Sequence, residues 1–216
     1  MTCSPIELLT VARRIANYAK EEGALQGNRA HRTRCDHLGA VLADSILQAG
    51  LNYSTVVRPR VQTILRVHPY LLTVSSLVTI IQKGETSSLL NWRHHEKLRR
   101  FEELVAFLQS RGIQDVHDLR ASLISKDFCN ALQKLNGIGP KTVDYMACLV
   151  GIDSIAVDRH VRAFAKAAGV DGDDYQFLRQ CFCCAADLLA LPRRDFDAWL
   201  WWRATASARA QMPLAV

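Results

Sequence analysis

Apolar residues recur at spacings of three and four along nearly the whole chain, which is typical of helices packed around a core. Helix starts are also marked: the first four residues of one predicted helix, Ser4 to Glu7, combine a capping box with a proline in the first turn. No convincing alternation with a period of two is present. The sequence therefore predicts an all-α fold of about ten helices with short connections.

The predicted helices cover approximately residues 4–22, 36–50, 54–68, 75–83, 94–110, 116–124, 127–136, 140–150, 158–168 and 174–191, with a last helix near the C-terminal end. The residues predicted to cap the later helices are Asp36, Asp115, Asp127, Asp158, Asp173 or Asp174, and Asp195. The least regular stretches are a basic loop at 24–35 and a long connection at 84–93.

Composition is that of an ordinary globular protein. Of the 216 residues, 49% are hydrophobic and 22% charged, which excludes a disordered tail protein. The longest apolar stretch, 70–81, is too short to span a bilayer. No export signal is recognisable, so we expect a cytoplasmic protein associated with the nucleoid and not with a membrane. The net charge of +6 arises from residues 1–111. A one-sided basic surface suits a polyanion such as DNA or RNA, and a solvated basic face is the alternative.

The most informative segment is a glycine-containing turn between two predicted helices. It reads LNGIGPKTVD (135–144), and IAVDRHV (155–161) follows it. Gly137 and Gly139 permit a positive φ and a close backbone approach, and the N–H groups at the start of the second helix form a natural phosphate site. A Gly-x-Gly turn alone is a weak signal, because many such turns bind nothing.

Together the two segments resemble the helix-hairpin-helix DNA glycosylase superfamily. Its usual pattern is Leu-Pro-Gly-Val-Gly-x-Lys-Thr-Ala, with Val-Asp-x-His about 17 to 19 residues after the lysine. Here Lys141 and Asp158 have this spacing, and Asn136 replaces the common proline. The strong match covers 127–168, and a looser one extends over most of the chain.

The resemblance implies a two-lobed helical architecture in one glycosylase unit spanning 1–216. One lobe is expected over about 36–150 and contains the hairpin at 127–150. The other is expected to combine the N-terminal helix at 4–22 with 155–210.

The resemblance also assigns a catalytic role to Lys141. This residue occupies the position of the nucleophilic lysine in the bifunctional members, which include endonuclease III and 8-oxoguanine glycosylase. Its amine would attack the sugar C1′, expel the damaged base and form a Schiff base, after which β-elimination nicks the strand. A desolvated site at the positive end of a helix favours the neutral amine that a nucleophile must be. The alternative is a surface lysine that contacts phosphate.

Asp158 is the second catalytic residue implied. In the family this aspartate faces the sugar, helps to activate the nucleophile and stabilises the cationic sugar as the base departs. It could also serve only as the N-cap of the helix that follows, and the two roles are compatible. For His160 the resemblance implies a phosphate contact, and a buried capping histidine is the alternative.

Several further residues are predicted to bind DNA. The loop after the second helix lies where relatives place a side chain that fills the gap left by the extruded base; Gly50 stands at the familiar glutamine position, so a neighbour must substitute or the loop is a plain turn. The predicted DNA-binding residues are Gly137, Ile138, Gly139, His160, Gln48, Asn52, Tyr53, Arg29, Arg32, Arg34, Arg93 and Lys97. Relatives also hold a monovalent cation on hairpin carbonyls, here those of Gln133, Leu135 and Ile138.

No cofactor is expected to be required. Many endonuclease III relatives end in a loop of four cysteines that binds an iron–sulfur cluster, but no cysteine follows Cys184 here. A chain of seven cysteines without an export signal does not suggest a disulfide framework either. Cys181, Cys183 and Cys184 lie in a predicted apolar helix, so we expect buried, inert thiols.

The sequence thus predicts a monomeric base-excision-repair glycosylase with lyase activity that acts on double-stranded DNA containing a damaged base. Because a stacked base cannot be reached, such an enzyme must extrude it. The lesion could be an oxidised purine or an oxidised pyrimidine. The alternatives are a monofunctional glycosylase for alkylated or mismatched bases and a non-catalytic DNA-binding protein.

Overall fold

The computed structural model describes residues 4–26 and 33–210, with side chains described as far as 206. Within these residues the chain forms twelve α-helices and one short π-helix, and no strand. The predicted all-α fold is confirmed. The helices are α1 Pro5–Glu21, α2 Leu38–Leu47, α3 Arg58–Val67, α4 Val74–Gln82, α5 Thr86–Leu90, α6 His95–Ser110, α7 Val116–Ser122, α8 Lys126–Leu132, α9 Pro140–Leu149, α10 Arg159–Ala167, α11 Tyr175–Leu188 and α12 Arg193–Ala210. None of the described helices is both long and apolar enough to cross a membrane.

The chain divides into two compact units. The hairpin unit is Thr33–Ile152, and the terminal unit consists of the described parts of Met1–Arg32 and Asp153–Val216.

The hairpin unit is built around α2. All ten residues of this helix are buried, and it packs against α3, α6 and α9. Phe101 and Leu104 of α6 and Leu42 of α2 are fully enclosed in the core. A helix that is apolar on every side must be surrounded by others, and this central position brings the C-terminal end of α2 close to α9.

The terminal unit has an aromatic core. Helix α1 packs along α11, and Phe164, Phe182, Phe196 and Trp199 form a connected ring cluster. The rings of Phe196 and Trp199 are stacked with centroids 5.8 Å apart, whereas Phe164 meets Trp199 edge to face at 5.7 Å. Both arrangements are favourable for aromatic pairs.

Four predicted caps are confirmed. Ser4 accepts a hydrogen bond from the backbone N–H of Glu7, and Asp115, Asp158 and Asp174 cap α7, α10 and α11 through their carboxylates. Each places a side-chain oxygen where the first turn of a helix leaves N–H groups without partners.

Three predicted caps are wrong. Helix α2 is capped by the ring of His37, and Asp36 pairs with Arg34. Ser125, and not Asp127, caps α8. Helix α12 begins at Arg193, so Asp195 lies within its first turn.

The cap at His37 also fixes the state of its ring. Nδ1 accepts a hydrogen bond from the N–H of Ala40 at 3.1 Å, so the proton of the neutral ring lies on Nε2, which donates to the carbonyl of His68 at 2.8 Å. Because His37 is buried, these two bonds tie the start of α2 to the end of α3.

Two connections also differ from the prediction. The connection at 84–93 contains the short helix α5, which ends at Asn91 in the left-handed conformation with φ 45°. The helix predicted at 54–68 begins as a one-turn π-helix, Tyr53–Val57, before α3. Pro59 explains the wider turn, because its ring would clash with the carbonyl four residues earlier in a regular α-helix.

Candidate active site

The glycine-containing turn joins α8 to α9 in the hairpin unit. Gly137 has φ 76°, a left-handed conformation that favours glycine. A Cβ atom on Gly137 would lie 2.5 Å from Nε of Arg100, so the arginine side chain packs directly over the bare backbone. Gly139 is the N-cap of α9 and has open space around the position of a Cβ. Ile138 between them is buried and anchors the turn in the core.

Lys141 lies in the first turn of α9 and is half-buried. Its ammonium group donates a hydrogen bond to Oε1 of Gln48, at the C-terminal end of α2. The same group lies 5.5 Å from the ring centroid of Tyr145, one turn further along α9. The amine is therefore held between an amide oxygen and an aromatic ring rather than extended into solvent.

A buried carboxylate holds Tyr145 in this arrangement. Asp44 is 4% exposed in the middle of α2. One of its oxygens accepts a hydrogen bond from the hydroxyl of Tyr145 at 3.0 Å, and the other accepts one from Tyr53 at 3.1 Å. Asp44 and Tyr145 are not among the predicted site residues. An aspartate inside an otherwise apolar helix was the available signal, since a carboxylate is rarely buried without partners.

Lys97 has a position that the sequence did not indicate. It extends from α6 and donates to the carbonyl oxygens of Ile46 and Ala49, at 2.9 and 2.8 Å. Burial, together with the positive charges of Arg100 and Lys141, lowers the pKa of its amine to about 8. Lys97, which was predicted to contact DNA, therefore binds the backbone at the C-terminal end of α2 in the structure without DNA.

The other loop residues predicted to bind DNA also have partners within the chain. Asn52 accepts a hydrogen bond from the N–H of Thr55 and caps the π-helix, Tyr53 binds Asp44, and Gln48 binds Lys141. Their role in filling the gap of an extruded base stays a prediction.

Asp158 belongs to the terminal unit. Its Oδ1 accepts hydrogen bonds from the N–H groups of His160 and Val161, at 2.7 and 3.0 Å, at the start of α10. Its Oδ2 accepts none from any described residue. The cap thus uses one oxygen of a half-buried carboxylate. The half-buried ring of His160 lies beside the guanidinium of Arg159, with Nε–Nε2 3.5 Å.

The predicted basic contacts divide into three groups. Arg29 and Arg32 lie outside the described residues. Arg34 is exposed and forms an ion pair with Asp36. Arg93 is exposed just before α6.

The carbonyls predicted to hold a monovalent cation lie in the turn between α8 and α9. The oxygen of Leu135 accepts a hydrogen bond from the N–H of Ile138 at 3.2 Å, and a carbonyl oxygen keeps a second lone pair for a ligand. Carbonyl oxygens suit a hard cation. The donors at Gln133, Leu135 and Ile138 therefore fit such an ion, and the site stays a prediction.

The cysteines of α11 are enclosed by the terminal unit. Cys181 and Cys183 are buried, and Cys184 is half-buried. The expectation of no iron–sulfur cluster stays a prediction, which iron analysis of the purified protein would check.

In the part of the chain with described side chains, the one group of three potential metal ligands is Asp115, His117 and Asp118, near the start of α7. Oxygens of both carboxylates there already accept backbone N–H groups.

Comparison with known proteins identifies a shared fold. No family model matches the chain, and no curated protein matches it significantly in sequence. Among solved structures, the crystal structure of the H. pylori 3-methyladenine DNA glycosylase MagIII bound to 1,N6-ethenoadenine is similar, with a TM-score of 0.67. The match covers 94% of this chain and 99% of that chain at 11% sequence identity. The chain therefore has the helical fold of a DNA glycosylase.

Proposed function

We propose that this protein is a DNA glycosylase that excises a damaged base from duplex DNA and forms a Schiff base through Lys141. The observation that carries the proposal is the position of this lysine. It follows a glycine turn in the first turn of α9, with its amine half-buried against Gln48 and Tyr145. Similarity to the fold of MagIII supports the glycosylase activity, and the lysine supports the lyase step.

Lys141 acts as the nucleophile in this proposal. Its neutral amine attacks C1′ of the sugar, the bond from C1′ to the base breaks, and the base leaves with the bonding electrons and takes up a proton. The C1′–O4′ bond then breaks as O4′ takes up a proton from water, and the nitrogen lone pair forms the C1′=N bond of an iminium ion on the lysine. Loss of a proton from C2′ then expels the 3′-phosphate oxygen and nicks the strand.

Asp158 stabilises the positive charge that develops on the sugar. Its Oδ1 is used by the helix cap, which leaves Oδ2 for this role. Electrostatic stabilisation of this kind is often the largest contribution to enzymatic rate acceleration.

The turn between α8 and α9 provides the contact with the DNA backbone. The N–H groups near Gly137 and Gly139 are the donors for a phosphate, and the direction of α9 adds a favourable field. Binding to undamaged duplex should therefore weaken steeply as salt rises, because phosphate contacts release counterions.

A second candidate is a monofunctional glycosylase for alkylated bases. It is favoured by the similar structure, which is that of a 3-methyladenine DNA glycosylase. In that reaction water attacks the sugar, and Lys141 has no covalent role.

A panel of duplexes with single lesions tests both candidates. The panel contains oxidised purines, oxidised pyrimidines, alkylated purines and mismatches, and each product is analysed with and without alkali. The proposed lyase nicks its preferred duplex without alkali, a monofunctional enzyme requires alkali, and a non-catalytic DNA-binding protein releases no base from any duplex.

A further inference from the structure

The C-terminal end of α2 is held by a side chain from another helix. The last carbonyls of any helix have no partner within it. Here the ammonium group of Lys97 binds one of them, that of Ile46, and also the carbonyl of Ala49, which follows the C-cap Gln48. A cation at this end of a helix is also favoured by the dipole. Lys97 therefore fixes the backbone on both sides of Gln48.

Gln48 is the residue within this turn that contacts the candidate nucleophile. Its Nε2 donates to the carbonyl of Ser45 at 3.4 Å, which leaves Oε1 directed to the amine of Lys141. The amide orientation thus follows from the position of the turn. A displacement of the turn would move the oxygen that holds the amine.

We propose that Lys97 is a positioning residue for Lys141, acting through the turn that carries Gln48. The inference rests on the proposed function, because it assumes that Lys141 is a nucleophile. Lys97 then has a role within the protein that is separate from any contact with phosphate.

Electrostatic coupling adds to the geometric argument. Lys141 is one of the charges that lower the pKa of Lys97, so the two amines lie close enough to interact. Arg100 contributes to the same positive environment.

The first test measures Schiff-base formation on a duplex with one preformed abasic site, so that the identity of the lesion does not matter. Borohydride traps the adduct under single-turnover conditions. We expect Lys97→Met to slow trapping about tenfold or more at saturating duplex, as small displacements of a reacting group do. Lys83→Met is the matched control, since Lys83 is an exposed lysine at the end of α4, and it should trap at the parent rate.

A double-mutant cycle tests the route through Gln48. Gln48→Met alone should also slow trapping, and adding Lys97→Met to it should slow trapping less than about twofold further, because residues that act through one another are not additive. Full multiplication of the two effects would overturn the proposal. Circular dichroism of each variant confirms that it is folded.

A readout without DNA separates this inference from the proposed function. Reductive methylation of the free protein, quantified at Lys141 by mass spectrometry, reports the reactivity of the amine itself. We expect the labelling rate of Lys141 to change in Lys97→Met and not in Lys83→Met. If the parent protein traps no abasic DNA, the proposed lyase function fails, while a changed labelling rate still supports the positioning role. If the parent traps DNA and Lys97→Met matches it in trapping and labelling, the positioning role is wrong and the function stands.

Discussion

The hydroxyl of Tyr145 donates a 3.0 Å hydrogen bond to the buried carboxylate of Asp44, 101 residues earlier in the chain. This bond joins the central helix α2 to α9, the helix that carries Lys141. Because the Tyr145 ring lies beneath the amine of Lys141, the bond also fixes the position of the ring that this amine contacts.

Removal of the Asp44 carboxylate should destabilise the hairpin unit. Asp44→Ala leaves the hydroxyls of Tyr53 and Tyr145 without this acceptor, and we expect a loss of about 2 kcal/mol or more in the free energy of unfolding. Tyr145→Phe keeps the ring and should cost about 1 kcal/mol. Urea unfolding of the three proteins provides the measurement. Equal stability of Asp44→Ala and the parent would contradict the described network.

Stability should depend on pH through Lys97. Its pKa is about 8 in the folded protein against an ordinary value of 10.5, so between these pH values the unfolded chain binds more protons than the folded one. Stability therefore rises with pH across this window. The free energy of unfolding of the parent minus that of Lys97→Met should increase from pH 8 to 10.5. A constant difference would show that the amine is not desolvated.

The two glycines of the turn should respond differently to alanine. Gly137→Ala introduces a Cβ at φ 76° and against Arg100, so we expect a loss of about 1 to 2 kcal/mol in unfolding free energy. Gly139→Ala has open space and an extended backbone, so its stability should match the parent. If a phosphate approaches Gly139 closely, this variant should nevertheless bind duplex DNA more weakly. Thermal melts and fluorescence anisotropy separate the two effects, and unchanged affinity of the stable Gly139→Ala would exclude that close approach.

Asp158→Asn should separate the helix-capping role of this residue from its proposed role in base excision. Asparagine caps helices about as well as aspartate, so stability should stay close to that of the parent. The rate of base excision should fall at least about 100-fold, because the proposed stabilisation of the cationic sugar needs the charge. Asp174→Asn is the control, since Asp174 caps α11 in the same way and has no proposed catalytic role. A fully active Asp158→Asn would leave this residue as a cap alone.

Local patterns predicted the helices well because their signals lie within a few residues of one another. Asp158 was predicted as a cap because an apolar helical pattern follows it directly. The same local pattern favours Asp36 over His37, because the bond from the His37 ring to the carbonyl of His68, 31 residues away, leaves no local signal. Helix α5 is not predicted because a segment of five residues is too short to show helical periodicity.

The candidate site was less accessible from sequence, because its contacts join distant segments. Lys141 could be selected by its motif, but its contact with Gln48 spans 93 residues. In the sequence, Lys97 is one of several basic residues and nothing marks it out. Only the packing of α6 against α2 brings its amine to the carbonyls of Ile46 and Ala49. Long-range pairings of this kind follow from the tertiary fold and leave no local pattern.

The role of Lys141 is tested most directly by borohydride trapping on the duplex that the parent protein prefers. The parent should give one covalent protein–DNA adduct, with the modified residue identified by peptide mapping as Lys141. Lys141→Gln should bind the same duplex and give no adduct, because its amide cannot form an iminium ion. Trapping by Lys141→Gln at the parent level, or an adduct mapped to another residue, would contradict the assignment.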